Sequence, residues 1–237
     1  MSLTYIDRFH PRQRRQRQAD LDAGRFTCCD ELDVLQPEHL RTLTGVSILL
    51  LIVGGILFIG LNIFAYYLQW HMLPRGFPFT LRSALLWTGI NMFIYLLILP
   101  IHELIHGLVF LVWGGKPHFG AKLPVALYCG ARNQLFRRNH YLAVGLAPLV
   151  IISLFFAIFT LLAPTLAPYT LFASIGNFAG AAGDVWVALR LLRLPSDVLI
   201  EDTEEGYRAW RLEQNQFLPT FSNEKTENSS NARITGS

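Results

Sequence analysis

Leu99-Pro100-Ile101-His102-Glu103-Leu104-Ile105-His106-Gly107 lies inside an apolar run from Ser83 to Trp113. Positions four apart share one face of a helix, so a helix here offers the His102 and His106 imidazoles to a single metal ion, with Glu103 beside them. Two ring nitrogens and an adjacent carboxylate are the parts a zinc peptidase needs, because the ion acidifies a water and the glutamate takes its proton. Composition alone yields this H-E-x-x-H pattern in about one such sequence in a hundred, so its setting matters. Ionisable side chains within a membrane span cost about 2.5–3.5 kcal/mol each for acidic or basic groups and tend to mark function. That favours a metal site over a structural histidine pair.

The surroundings are apolar enough to raise that question. Hydrophobic residues make up 52% of the 237, charged residues only 16%, and mean hydropathy is +0.34, which excludes an ordinary soluble domain. Four segments, 46–68, 83–113, 141–163 and 167–192, reach the roughly 20 helical residues that cross a hydrocarbon core. The expected fold is therefore an all-α integral membrane protein of about four transmembrane helices, with the H-E-x-x-H motif in the second. Residues 1–43 read as a cytoplasmic tail, 44–195 as the transmembrane core and 196–237 as an acidic cytoplasmic tail, disordered over 222–237. No cleavable signal peptide is expected, since the first apolar run begins only at Val46.

Basic residues set the orientation. The N-terminal tail has seven, the 114–140 loop has Lys116, Lys122, Arg132, Arg137 and Arg138, and Arg190 and Arg193 close the last span; the 69–82 connection has two and the turn at Pro164 none. The positive-inside rule places both termini and the 114–140 loop in the cytoplasm, for a multi-pass protein of the plasma or inner membrane. The cluster Arg12-Gln13-Arg14-Arg15-Gln16-Arg17 reads first as a solvated face rather than a nucleic-acid patch. Anionic lipid headgroups are the partner its charge best suits. Cys28, Cys29 and Cys129 are an odd set without framework spacing, so reduced thiols are expected.

Several residues divide between chemistry and packing. Pro100 should bend α-helical structure just before His102. Asn91 suits a helix–helix hydrogen bond better than a polar track. The 114–140 loop holds no acidic residue, and 122–128 is compatible with a hairpin that dips toward the headgroups and offers its edge to an extended substrate; the alternative is a cytoplasmic loop anchored by its basic residues. His118, His140 and Cys129 are ligand types without a spacing tied to His102, and read as surface residues. The 141–163 span reads as packing material kinked at Pro148.

A catalytic zinc takes three protein ligands and keeps one position open. The one other acidic residue in the four segments is Asp184, where Asn177, Gly180, Ala181, Asp184 and Ala188 form one small, polar helical face. His106 lies seven residues before Trp113 and Asp184 six before Arg190, ends on the same membrane side, so their depths agree within a few ångströms at about 1.5 Å per residue. Asp184 is the expected third ligand; the alternative is a lone carboxylate hydrogen-bonded to Asn177 or a neighbouring helix.

The layout of His102-Glu103-Leu104-Ile105-His106 in a span, a loop, a span with Gly145-Leu146-Ala147-Pro148, and a small-residue span carrying Asp184 resembles the site-2 protease type of intramembrane zinc metallopeptidase. Over about 80–205 it is more closely similar to the DUF3267 group of zincin-like membrane proteins. The resemblance implies a Zn2+ cofactor held by His102, His106 and Asp184, with Glu103 as general base. Site-2 proteases carry their aspartate in a Leu-Asp-Gly turn after an Asn-x-x-Pro; here Asn177 precedes Asp184 by seven residues without that proline. The expected activity is hydrolysis of membrane-bound or membrane-proximal peptides, with the bilayer and a peptide substrate as partners and no nucleic acid. The competing readings are a non-catalytic metal-binding membrane scaffold and a transporter.

Overall fold

The computed structural model describes residues 3–74, 80–122, 126–203 and 205–213. In chain order the elements are β1 (Thr4–Tyr5), α1 (Pro11–Asp22), β2 (Phe26–Asp33), α2 (Leu40–Trp70), α3 (Leu81–Trp113), β3 (His118–Lys122) and β4 (Ala126–Gly130). They continue as β5 (Gln134–Arg137), α4 (Arg138–Leu162), a 3-10 turn (Ala167–Thr170), α5 (Leu171–Gly180), α6 (Ala182–Leu191), β6 (Leu199–Asp202) and β7 (Gly206–Leu212). Most of the described residues are helical.

Among the described residues, three helices, α2, α3 and α4, are long and apolar enough to cross a membrane. Their 31, 33 and 25 residues correspond to about 37–50 Å at 1.5 Å per residue. Their outward faces leave large side chains such as Ile56, Leu85, Phe93 and Leu154 uncovered by protein. A broad uncovered apolar surface is what a lipid-facing bundle presents. Between the helices, Phe58, Ile98, Ile152, Phe156 and Ala173 form a buried cluster.

The helix ends follow local chemistry. At the start of α3, Thr80 and Ser83 form a reciprocal capping box that satisfies two orphan amides. Gly114 ends α3 in the left-handed region at φ 89°, where its amide turns back to the Phe110 and Leu111 carbonyls. Between these caps α3 continues through Pro100 without interruption.

The fourth apolar segment departs from the expected single helix. It is helical in two ten-residue pieces, α5 and α6, separated at Ala181. The interruption falls within Gly180-Ala181-Ala182-Gly183, where glycine disfavours helix by about 1 kcal/mol per residue relative to Ala. Close packing fixes α5 in place. A Cβ on Gly54 of α2 would lie 3.0 Å from Phe178, and one on Gly176 would lie 2.4 Å from the Tyr95 ring of α3. Asn91, fully buried, accepts from the Phe172 amide at 3.0 Å and donates to the Pro168 carbonyl at 3.1 Å. It is a helix–helix hydrogen bond, as its position in the sequence suggested.

The all-α expectation does not hold. A five-stranded sheet in the order β1-β5-β6-β7-β2 draws strands from both terminal segments and from the 114–140 loop. Pairing is antiparallel except for β1 with β5, and Phe26 stands opposite Leu212. Residues 3–33, 199–203 and 205–212 are thus structured and joined through the sheet rather than freely solvated. The 222–237 stretch lies outside the described residues. Ile6, Leu32, Phe110, Phe136, Leu191, Ile200 and Tyr207 bury the sheet against the ends of α3, α4 and α6. The hairpin expected in the loop exists, as β3 paired with β4.

Candidate metal centre

His102 and His106 sit on consecutive turns of α3, their ring centroids 5.0 Å apart. Asp184, in the first turn of α6, faces both. Its Oδ2 lies 3.1 Å from His102 Nε2 and its Oδ1 lies 3.6 Å from His106 Nε2. Together the three residues offer ligand atoms all within 4.8 Å of one another. The sequence-derived trio therefore converges across 82 residues of chain for the His102–Asp184 pair.

The far side of each ring decides its tautomer. His106 Nδ1 lies 2.9 Å from the Val144 carbonyl, which can only accept, so this nitrogen carries the proton. In α4 that carbonyl would ordinarily bond the amide four residues on, but residue 148 is proline and has none. His102 Nδ1 lies 3.2 Å from Asn177 Oδ1. The Asn177 amide group is oriented by its Nδ2, which donates to Ser153 Oγ at 3.2 Å and to the Leu149 carbonyl at 3.5 Å. Both rings, with Nδ1 carrying the proton, accordingly turn Nε2 toward the Asp184 carboxylate. Three acceptors converging in a largely enclosed site require either protons or a cation between them. Tetrahedral ligation with bonds near 2.0–2.1 Å separates donor atoms by about 3.3 Å; here the two histidines stand 3.1 and 3.6 Å from the two oxygens of Asp184, and one donor atom from each of the three lies within 4.8 Å of the others. The donor set thus fits zinc.

Glu103 completes the cluster, and the Cys129 backbone amide donates to its carboxylate. This bond ties β4 to the motif-bearing turn of α3. Gly107 makes the approach possible: a Cβ there would lie 2.5 Å from the Phe119 ring and 3.4 Å from the Cys129 sulfur. Burial, with Glu103 and Asp202 nearby, pushes the Cys129 thiol up to about 12. The thiol is protonated at neutral pH and does not join the metal cluster. His140 stacks on Trp113 at 3.8 Å, and His118 meets Tyr128; neither joins the cluster. All three cysteines are free.

A cavity of about 240 Å³ opens onto His102, Glu103, His106 and Asp184. Gly145 and Gly180 also line it, and a Cβ at either would meet nothing within 4 Å. Val34, Asp202, Glu205 and Gly206 close the cavity from the sheet side. The Tyr141 hydroxyl donates to Asp202 Oδ1 at 2.8 Å, and the Ala131 amide donates to Asp202 Oδ2 at 2.5 Å. Asp202 thereby links α4, the hairpin and the terminal sheet over the cavity. Asp30 of β2 accepts from Tyr207 at 2.6 Å and pairs with Arg190 at 3.6 Å, anchoring α6 to the same sheet.

Sequence reasoning missed four of these residues. Asn177 was placed beside Asp184 rather than behind His102. Val144 acts through its backbone, and its one signal was the proline four residues later. Tyr141 and Asp202 belong to a lid that only the tertiary pairing creates.

Residues 95–199 match the model of the DUF3267 family, whose description reads "Putative zincin peptidase". The matched stretch contains the motif, Val144, Asn177 and Asp184. No curated protein and no solved structure matches the chain.

Proposed function

Taking 95–199 as a zincin-family segment, we propose that the chain is an integral-membrane zinc metallopeptidase that hydrolyses membrane-bound or membrane-proximal peptides. The observation carrying this reading is the convergence of two oriented Nε2 atoms on the Asp184 carboxylate beside Glu103. In this reading His102, His106 and Asp184 hold zinc, which when bound acidifies a water and polarises the scissile carbonyl. Glu103 accepts the water's proton and passes it to the leaving amine, and its bond to the Cys129 amide holds it in place. Asn177 and Val144 fix the two imidazoles against rotation. The glycine-lined walls admit a peptide backbone, and the β3–β4 hairpin offers an edge along which an extended substrate can align.

The layout supports a site-2-protease-like arrangement in which α5 and α6 together supply a fourth, broken crossing. Of the twenty Lys and Arg, the connection between α2 and α3 holds only Arg75, with Arg82 at the start of α3. The sheet-bearing side is therefore assigned to the cytoplasm, and the bilayer to the plasma or inner membrane.

The test is zinc per chain in detergent-purified protein, for the wild type, His106→Ala and Asp184→Ala. About one equivalent, lost or sharply weakened in both variants, supports the ligand set. Glu103→Gln should then keep the metal and lose hydrolysis of a membrane peptide; an active variant would sink its role. One observation favours a second reading. Protonated His102 and His106 would form ion pairs with Asp184 at 3.1 and 3.6 Å without any metal, as a non-catalytic scaffold would. A folded wild type free of zinc would put that reading first.

A further inference from the structure

The N-terminal segment is fastened to the end of a membrane-length helix. The Arg8 amide donates to the Trp113 carbonyl at 3.2 Å, and the Phe9 ring meets Trp113 edge-on at 5.6 Å. The Arg8 Cβ stands 3.1 Å from the point where a Gly114 Cβ would be. Trp113 is the last residue of α3, and aromatic rings at the ends of spans lie at headgroup depth. Phe9 leaves 56% of its surface uncovered at that level.

The chain then enters α1 directly. From Arg8 to Ala19 it carries five arginines and no acidic residue. Two residues of α1 are engaged: Arg17 donates to the Asp197 carbonyl at 3.1 Å and lies over the Tyr5 ring, and Gln18 accepts from the Tyr5 amide at 2.8 Å. Arg12, Arg14 and Arg15 are exposed and make no ion pair among the described residues. They follow Phe9 by three to six residues, and from the start of α1 at Pro11 to Arg15 the helix rises about 6 Å. That is comparable to the screening length of about 10 Å at 0.1 M salt.

We propose that Arg12, Arg14 and Arg15 form a docking surface for the anionic phospholipid headgroups of the bilayer in which α3 sits. Guanidinium groups hold phosphate in paired hydrogen bonds, and the Phe9–Trp113 contact sets these three at the depth where lipid phosphates lie. A solvated tail has no such anchor. A nucleic acid would have to approach the same arginines at the bilayer surface, against its own repulsion from anionic lipid.

The test uses the full chain in nanodiscs of mixed phosphatidylcholine and phosphatidylglycerol, with lipids retained after extraction counted by native mass spectrometry. The wild type should hold phosphatidylglycerol preferentially. Each arginine near an anionic surface contributes about fivefold, so the triple variant Arg12→Gln, Arg14→Gln, Arg15→Gln should lose most of the preference while melting like the wild type in pure phosphatidylcholine. In the wild type alone, raising salt from 0.1 to 1 M shortens the screening length to about 3 Å and should erase the preference. A triple variant with undiminished preference, or a preference indifferent to salt, overturns the proposal. Tighter binding of single-stranded RNA than of phosphatidylglycerol in the same buffer overturns it in favour of a nucleic-acid surface.

Discussion

Replacing Pro148 by Ala would return to α4 the amide proton whose absence leaves the Val144 carbonyl free for His106. Two opposed terms set the stability change. Proline inside a helix is disfavoured by about 3 kcal/mol relative to Ala. Pro148 is buried, and losing two ring methylenes forfeits about 0.8 kcal/mol each. The variant should therefore fold as well as the wild type or gain about 1–2 kcal/mol. Zinc affinity should move the other way. Loss of an outer hydrogen-bond partner of a metal-bound histidine usually weakens binding 10–100-fold, and here the carbonyl becomes shared instead of removed, so about tenfold, or 1.4 kcal/mol, is expected. Chelator competition on the purified protein measures the affinity, and a thermal melt measures the fold. A variant of equal or greater stability with unchanged zinc affinity would refute the role given to the Val144 carbonyl.

Asn177→Ala removes the acceptor that orients His102 and should weaken zinc by about 10–100-fold, with Ser153→Ala giving a smaller loss in the same titration. Cys129, pushed up to about 12, should resist iodoacetamide at neutral pH while exposed Cys28 reacts; peptide mapping with and without denaturant reads this. Because its folded value exceeds the ordinary thiol value of 9.0, its contribution to stability is present below that value and fades as pH rises toward 12. Asp7 is buried, accepts from the Phe9 and His10 amides, and pairs with Arg137 at 2.8 Å. Burial alone would raise its carboxyl, but the His10 hydrogen bond and the Arg137 charge outweigh it and hold it below the usual range. Its stabilisation is therefore present above the ordinary carboxylate value and lost as pH falls through the folded one. Asp7→Ala should lower stability by about 3 kcal/mol and flatten the acid side of the melting curve; an unchanged acid side would refute the assignment.

The site was more legible in the sequence than the fold around it. Helical spacing placed His102 and His106 on one face, and matched depth from the membrane ends reached Asp184, because a span converts residue number into position. The terminal sheet offered no such ruler. In β7, buried Tyr207 and Ala209 alternate with half-buried Gly206, exposed Arg208 and half-buried Trp210, a period-two pattern present in the sequence. In β2 a register shift between Cys28 and Asp30 breaks the alternation, so its strand character was hidden. Polar composition suggested tails because both strands are half exposed and β2 finds its partner only across the length of the chain. The interruption at Ala181 was written in Gly180 and Gly183, but Gly180 also served the close-packing argument for Asp184.

The pairing of β2 with β7 also sets a clock on maturation. Phe26 is opposite Leu212, so a strand made early waits for one made nearly 190 residues later. Domains fold as their segments emerge, and pairings of such long range form last. The motif helix, the hairpin and Asp184 leave the ribosome before Gly206 does, whereas Asp202, Glu205 and Gly206 close the cavity only once β7 has paired. Throughout that interval the nascent chain has its two histidines in place beneath an open roof, and the cavity acquires its final shape after the last strand is added.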